Sequence, residues 1–90
     1  MEKNVATMVF YLFAPDWDKN SFSKKNLFVN ECRNNGLSYE TIDVDTENGT
    51  ALSIKYGVRN VPTAVFVCGK KVVGIEKGNK IHEDVYKYCK

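Results

Sequence analysis

The chain has 90 residues, 43% of them hydrophobic, with five Phe, five Tyr and one Trp. That is enough to bury one core and little more, so a single domain over residues 1–90 is expected. The 13 basic and 11 acidic residues leave a net charge of +2 with no block of one sign, which argues against nucleic acid or an anionic membrane as partner. The longest apolar run, Met8 to Ala14, is too short to span a bilayer. No apolar signal core with a cleavage site follows Met1-Glu2-Lys3-Asn4, so a cytoplasmic protein is the expectation. Three cysteines, Cys32, Cys68 and Cys89, form no C-x-x-C pair and no metal-ligand spacing. An odd number cannot all pair within one chain, and reduced thiols suit that compartment.

Thr7-Met8-Val9-Phe10-Tyr11-Leu12-Phe13 is a nearly continuous apolar run of strand length, as a strand buried on both faces requires. Pro15 and the Asp and Asn residues of Ala14 to Asn20 then make a loop. From Ser21 to Asn35 the side chains of Phe22, Leu27, Phe28, Val29 and Cys32 form a helical stripe, stopped by Gly36, with Asp18 or Ser21 as the cap. Tyr39 to Val44 alternates as a strand does, and a strand–helix–strand unit crosses over right-handed to make its strands parallel. After a turn over Asp45 to Gly49, Thr50 to Tyr56 makes about two helical turns ended by Gly57. Val58 to Thr63 leads into the strand Ala64 to Cys68, and Gly69-Lys70 turns the chain into a second strand, Lys71 to Ile75. Ile81, Val85, Tyr88 and Cys89 fall at helical spacing in a last helix, with Asn79 as a cap. The order strand, helix, strand, helix, hairpin, helix gives an α/β architecture, a four-stranded mixed sheet with helices on both faces.

The stretch Ile42-Asp43-Val44-Asp45, then Ile54-Lys55-Tyr56-Gly57-Val58-Arg59-Asn60-Val61-Pro62-Thr63 and Gly69-Lys70-Lys71-Val72-Val73-Gly74, closely resembles the second half of thioredoxins. The resemblance covers about Tyr39 to Gly78, and the element order extends it along the chain. It implies the minimal thioredoxin fold, β-α-β-α-β-β-α, shared with glutaredoxins, without the extra N-terminal strand and helix of full-length thioredoxins. It also implies a cis Val61–Pro62 peptide, where the local sequence alone would suit an ordinary trans proline opening a strand.

The family's reactive W-C-x-x-C motif corresponds here to Trp17-Asp18-Lys19-Asn20-Ser21. Asp18 falls where the resemblance places the nucleophilic thiol and Ser21 where it places the resolving thiol. The loop is one residue longer than usual, and a slipped register would put Trp17 and Asn20 there instead. Neither register supplies a sulfur. The acidic residue that thioredoxins bury in the first strand as a proton relay is missing too, since Met8 to Phe13 holds only apolar residues and Tyr11.

Thiolate chemistry at this corner needs a cysteine whose pKa is lowered by the helix N-terminus. An Asp there is stabilised in the same way but cannot attack a disulfide, so capping by Asp18 or Ser21 is the leading role, with anion or partner recognition the alternative. Ser21 has no evident base, because the only histidine, His82, lies near the start of the last helix. Binding survives the loss of sulfur. The resemblance implies that Val61, before the cis proline, offers unpaired backbone groups to an extended protein or peptide segment, with Trp17, Asp18, Asn60, Pro62 and Thr63 around it. Trp17 and Val61 are expected to flank a shallow apolar groove, although partial burial of Trp17 beneath the loop is an equal expectation. Topology places all three cysteines at the pole opposite Trp17, as buried or chain-end residues. The leading expectation is a peptide-binding module without dithiol chemistry and without a metal or organic cofactor. The alternative is an atypical thiol-disulfide oxidoreductase using a cysteine outside the usual motif.

Overall fold

In a computed structural model that describes residues 5–78 and 80–89, strand β1 (Met8–Phe13) is the strand around which the rest assembles. It pairs in parallel with β2 (Ser38–Asp43) and antiparallel with β3 (Thr63–Cys68), which in turn pairs antiparallel with β4 (Lys71–Lys77). The sheet order is β2-β1-β3-β4. Because β1 is interior, both its faces are covered, which is why its sequence is an apolar run rather than an alternation.

Side chains of period two divide the core. Val9, Tyr11 and Phe13 face one side, where with Ala64 and Phe66 they meet Phe28 and Cys32 of helix α1 (Lys19–Asn34). The chain end, made of a short helix α3 (Ile81–Asp84) and a 3-10 turn at Val85–Tyr88, packs on this same face. On the other side, Leu12, Ile42, Val65 and Val67 meet Leu52 and Tyr56 of helix α2 (Glu47–Tyr56). Helices thus cover both faces of the mixed sheet, as the element order requires. No helix among the described residues is long and apolar enough to cross a membrane.

The structure corrects several boundaries. Helix α1 starts at Lys19, two residues before the expected Ser21, because Asp18 itself is the cap. Its expected apolar stripe narrows to Phe28 and Cys32, while Phe22 and Leu27 are exposed. Phe22 instead lies beside Phe13, its ring 6.0 Å away, with the Lys25 ammonium 4.8 Å above it. Helix α2 starts at Glu47 rather than Thr50, capped by the Thr46 hydroxyl, which accepts from Gly49 N at 3.0 Å. Gly49 is helical and not a turn residue: a Cβ there would stand 1.9 Å from the Asp43 carbonyl oxygen, so the helix can approach β2 only through a residue without a side chain. Strand β4 runs on to Lys77. The expected last helix through Cys89 breaks after Asp84 into the 3-10 turn, which brings the Tyr88 ring to 4.1 Å from Phe66 in a stacked pair. The expected cap Asn79 lies outside the described residues.

Candidate functional site

The site begins where β1 ends. Ala14 is fully buried, and its amide N–H donates to Ser21 Oγ at 3.3 Å. Ser21 Oγ in turn donates to the Asp18 carbonyl at 3.0 Å, and the Asp18 carboxylate accepts from Ser21 N at 3.3 Å. Asp18 and Ser21, rather than Trp17 and Asn20, therefore occupy the cap and third positions of α1, and the Asp18 carboxylate satisfies one free amide of the helix start, that of Ser21. Ser21 is 0% exposed, and its hydroxyl is committed as both donor and acceptor. Beneath it the Tyr11 hydroxyl donates to the Ser21 carbonyl at 2.9 Å. Burial, and then the Asp18 charge, push the Tyr11 phenol above its ordinary value.

Trp17 leaves this buried corner. It is 61% exposed, and its Nε1–H donates to Asp45 Oδ1 at 3.1 Å, which ties the corner to the β2–α2 loop. Of the two sequence expectations for Trp17, groove exposure is the one observed. Trp17, Val44, Asp45, Val58, Arg59 and Val61 line a depression of about 240 Å³. It is not the apolar groove expected from the sequence, because Asp45 and Arg59 contribute charge to its wall.

The Val61–Pro62 peptide bond is cis. Pro62 is buried, and its carbonyl accepts from Gly78 N at 3.1 Å, while the Thr63 hydroxyl donates to the Asn60 carbonyl. Among the described residues, no group hydrogen-bonds to the amide or carbonyl of Val61. Asn60 and Thr63 open onto a second depression of about 340 Å³, shared with Tyr56, Arg59, Ile75 and Lys77. The structure thus brings Trp17 and Val61 to one hollow and Asn60 and Thr63 to its neighbour. Asp18 lines neither, and acts as the helix cap.

Arg59 lines both depressions and a third of about 370 Å³ beside Ile54. Sequence reasoning did not single out Arg59, Ile75 or Lys77. The one local signal was Gly57, whose left-handed conformation at φ 66° ends α2 and delivers the next two residues to the surface.

The cysteines sit at the far end of the sheet, where β1 begins. Cys89 and Thr7 share a depression of about 260 Å³ there. Cys32 and Cys89 are buried, and Cys68 is exposed at the end of β3. Burial pushes the Cys32 thiol up to about 12, with lesser contributions from Cys89 and Glu31. The Cys89 thiol donates to the Val85 carbonyl at 3.3 Å. Among the described residues, no group of three or more His, Cys, Asp or Glu is placed to hold a metal ion.

A β2-β1-β3-β4 mixed sheet with helices on both faces, and a cis proline between α2 and β3, defines the thioredoxin fold. The comparison with solved structures agrees. A thioredoxin from Fasciola hepatica matches 96% of this chain and 83% of its own at a TM-score of 0.75 and 23% identity. A thioredoxin from Schistosoma mansoni matches 94% and 76% respectively, with a TM-score of 0.77 and 21% identity. A mutant thioredoxin from Halobacterium salinarum matches 98% and 79%, with a TM-score of 0.76 and 22% identity. No family model matches the chain, and no curated protein matches it. Likeness at these identities carries the fold, while function has to be argued from the corner itself.

Proposed function

We propose that this protein is a thioredoxin-fold binding module without dithiol chemistry, which accepts an extended protein or peptide segment along Val61. One observation carries the reading: the Val61 amide and carbonyl have no hydrogen-bond partner among the described residues, and Val61 lines a hollow together with the exposed Trp17. An extended segment supplies the missing donor and acceptor as a strand does, and Trp17 offers an apolar wall with an anchored edge.

The chemistry of the corner supports the same view. The Asp18 carboxylate and the buried Ser21 hydroxyl hold the start of α1, and neither can attack a disulfide. Redox chemistry through the remaining cysteines is the second reading. It is disfavoured at Cys32, whose thiol stays protonated near neutral pH, and an exposed Cys68 has no partner thiol of comparable access. A cytoplasmic location belongs to the proposal and rests on three cysteines that form no disulfide with one another.

The test is an NMR titration of ¹⁵N-labelled protein with a capped, cysteine-free heptapeptide of alternating Val and Gln. Shifts at Trp17 Nε1 and at the amides of Asn60, Val61 and Thr63 are expected. A spectrum unchanged at those positions with millimolar peptide overturns the reading.

A further inference from the structure

The hollow that Val61 lines and its neighbour toward β4 differ in charge. The hollow toward β4 is lined by two cations, Arg59 and Lys77, and by no acidic side chain. The hollow beside α2 adds only Arg59 as a charged group. The single carboxylate on the Trp17 side, Asp45, already accepts from Trp17 Nε1. Glu76, next to Lys77 in β4, accepts from the Tyr88 hydroxyl. The one salt bridge among the described residues, Lys87 with Asp84, lies on the chain end. Arg59 is therefore exposed at the junction of three hollows with no ion-pair partner among the described residues, and the exposed Lys77 stands across one of them. The same hollow also has apolar lining: Val58, and Ile75, which is 46% exposed on β4. The Lys55 ammonium sits 5.3 Å from the ring of Tyr56 in the same wall and adds a third positive charge nearby.

On these grounds we propose that the segment taken up along Val61 is acidic: an extended peptide that brings carboxylate side chains to the hollow shared by Arg59 and Lys77, with their methylenes against Ile75. This rests on the strand-addition reading above and names the class of partner. Arg59 supplies the directional contact, since its guanidinium presents paired donors that match a carboxylate, and Lys77 supplies the supporting charge. The alternation of strand side chains fits the arrangement. Neighbouring residues of an extended peptide point to opposite sides, so every second residue turns toward the cationic hollow while the intervening ones face away.

The experiment compares three capped heptapeptides of alternating Val with Glu, Gln or Lys, by fluorescence anisotropy at low salt and by ¹⁵N shifts. The Glu peptide is expected to bind more tightly than the Gln peptide by up to about fivefold, the upper end for an exposed charge pair. The Lys peptide is expected to bind more weakly than either. The advantage of Glu should shrink at 0.5 M salt. Arg59→Gln should abolish the preference, read as the ratio of Glu to Gln peptide affinity, and Lys77→Gln should halve it, each ratio being taken within the same variant. Both positions are exposed, so the variants keep the fold, which circular dichroism checks. Equal affinity for Glu and Gln peptides with shifts at Val61 overturns the acidic preference and leaves strand addition standing. A Glu preference that survives Arg59→Gln also overturns it. No shift at Val61 with any peptide overturns both.

Discussion

The Ser21→Ala variant tests whether the corner that carries a thiol pair in thioredoxins is here a structural joint. Ser21 is fully buried, its hydroxyl accepts from Ala14 N at 3.3 Å and donates to the Asp18 carbonyl at 3.0 Å. Removing the oxygen leaves the Ala14 amide, itself in a fully buried residue, without an acceptor. A buried orphaned donor costs about 1–3 kcal/mol, and the cavity is too small to add much, so a loss of about 2 kcal/mol is expected. In a domain of this size each kcal/mol moves Tm by roughly 4–8 °C, which gives a drop on the order of 10 °C. Asp18→Ala removes only the side-chain acceptor of Ser21 N, at a half-buried position where water can replace it, and should cost about 1 kcal/mol, the usual worth of a helix cap. Urea melts followed by circular dichroism give both values. The reasoning fails if Ser21→Ala stays within about 0.5 kcal/mol of wild type, or if Asp18→Ala proves the more damaging change.

Further expectations follow from the core and the chain end. A Cβ on Gly74 would lie 2.3 Å from the Tyr88 ring, so Gly74→Ala should cost about 1–3 kcal/mol by overpacking and unseat the Tyr88–Phe66 stack; an unchanged urea midpoint would contradict this. In native buffer, thiol titration should find one fast cysteine, Cys68, and two slow ones, Cys32 and Cys89, with all three fast in denaturant; three fast native thiols would contradict the burial. Stability should fall at alkaline pH. Burial pushes Cys32 up to about 12, and raises the phenols of Tyr11 and, together with its bond to Glu76, Tyr88. Each folded-state value lies above the unfolded one, so the contribution is full below about pH 9, where the unfolded Cys begins to ionise, and is lost as pH rises toward 12. Urea melts between pH 8 and 11 should show the decline, and a flat profile would contradict it.

Much of this fold was legible in the sequence because its signals are local. The apolar run of β1, the Gly57 stop and the Gly69-Lys70 turn each act within a few residues, and each appears where expected. What escaped was set by contacts across the molecule. Asp45 to Gly49 read as a turn, yet Gly49 is glycine because α2 passes over the Asp43 carbonyl, a constraint visible only once β2 and α2 are packed. The 3-10 ending follows from the stack of Tyr88 on Phe66 and its bond to Glu76, while the sequence spacing alone favoured a continuous helix. At the site, the choice of Asp18 or Ser21 as the cap was readable from residue type and position, and Asp18 is the one that caps; the buried bond of Ser21 Oγ with Ala14 N was not readable. The charged character of the hollow was not. Arg59 and Lys77 come from a loop and an edge strand, and no spacing along the chain announces that they face one cavity.

Insulin reduction driven by a dithiol donor distinguishes a thioredoxin scaffold that only binds from one that exchanges disulfides. Wild type should be run beside Asp18→Cys/Ser21→Cys, with folding of the variant confirmed by circular dichroism. A silent wild type beside an active, folded double variant is the expected result. Turnover by wild type would place the chemistry on Cys32, Cys68 or Cys89 and contradict a scaffold that only binds.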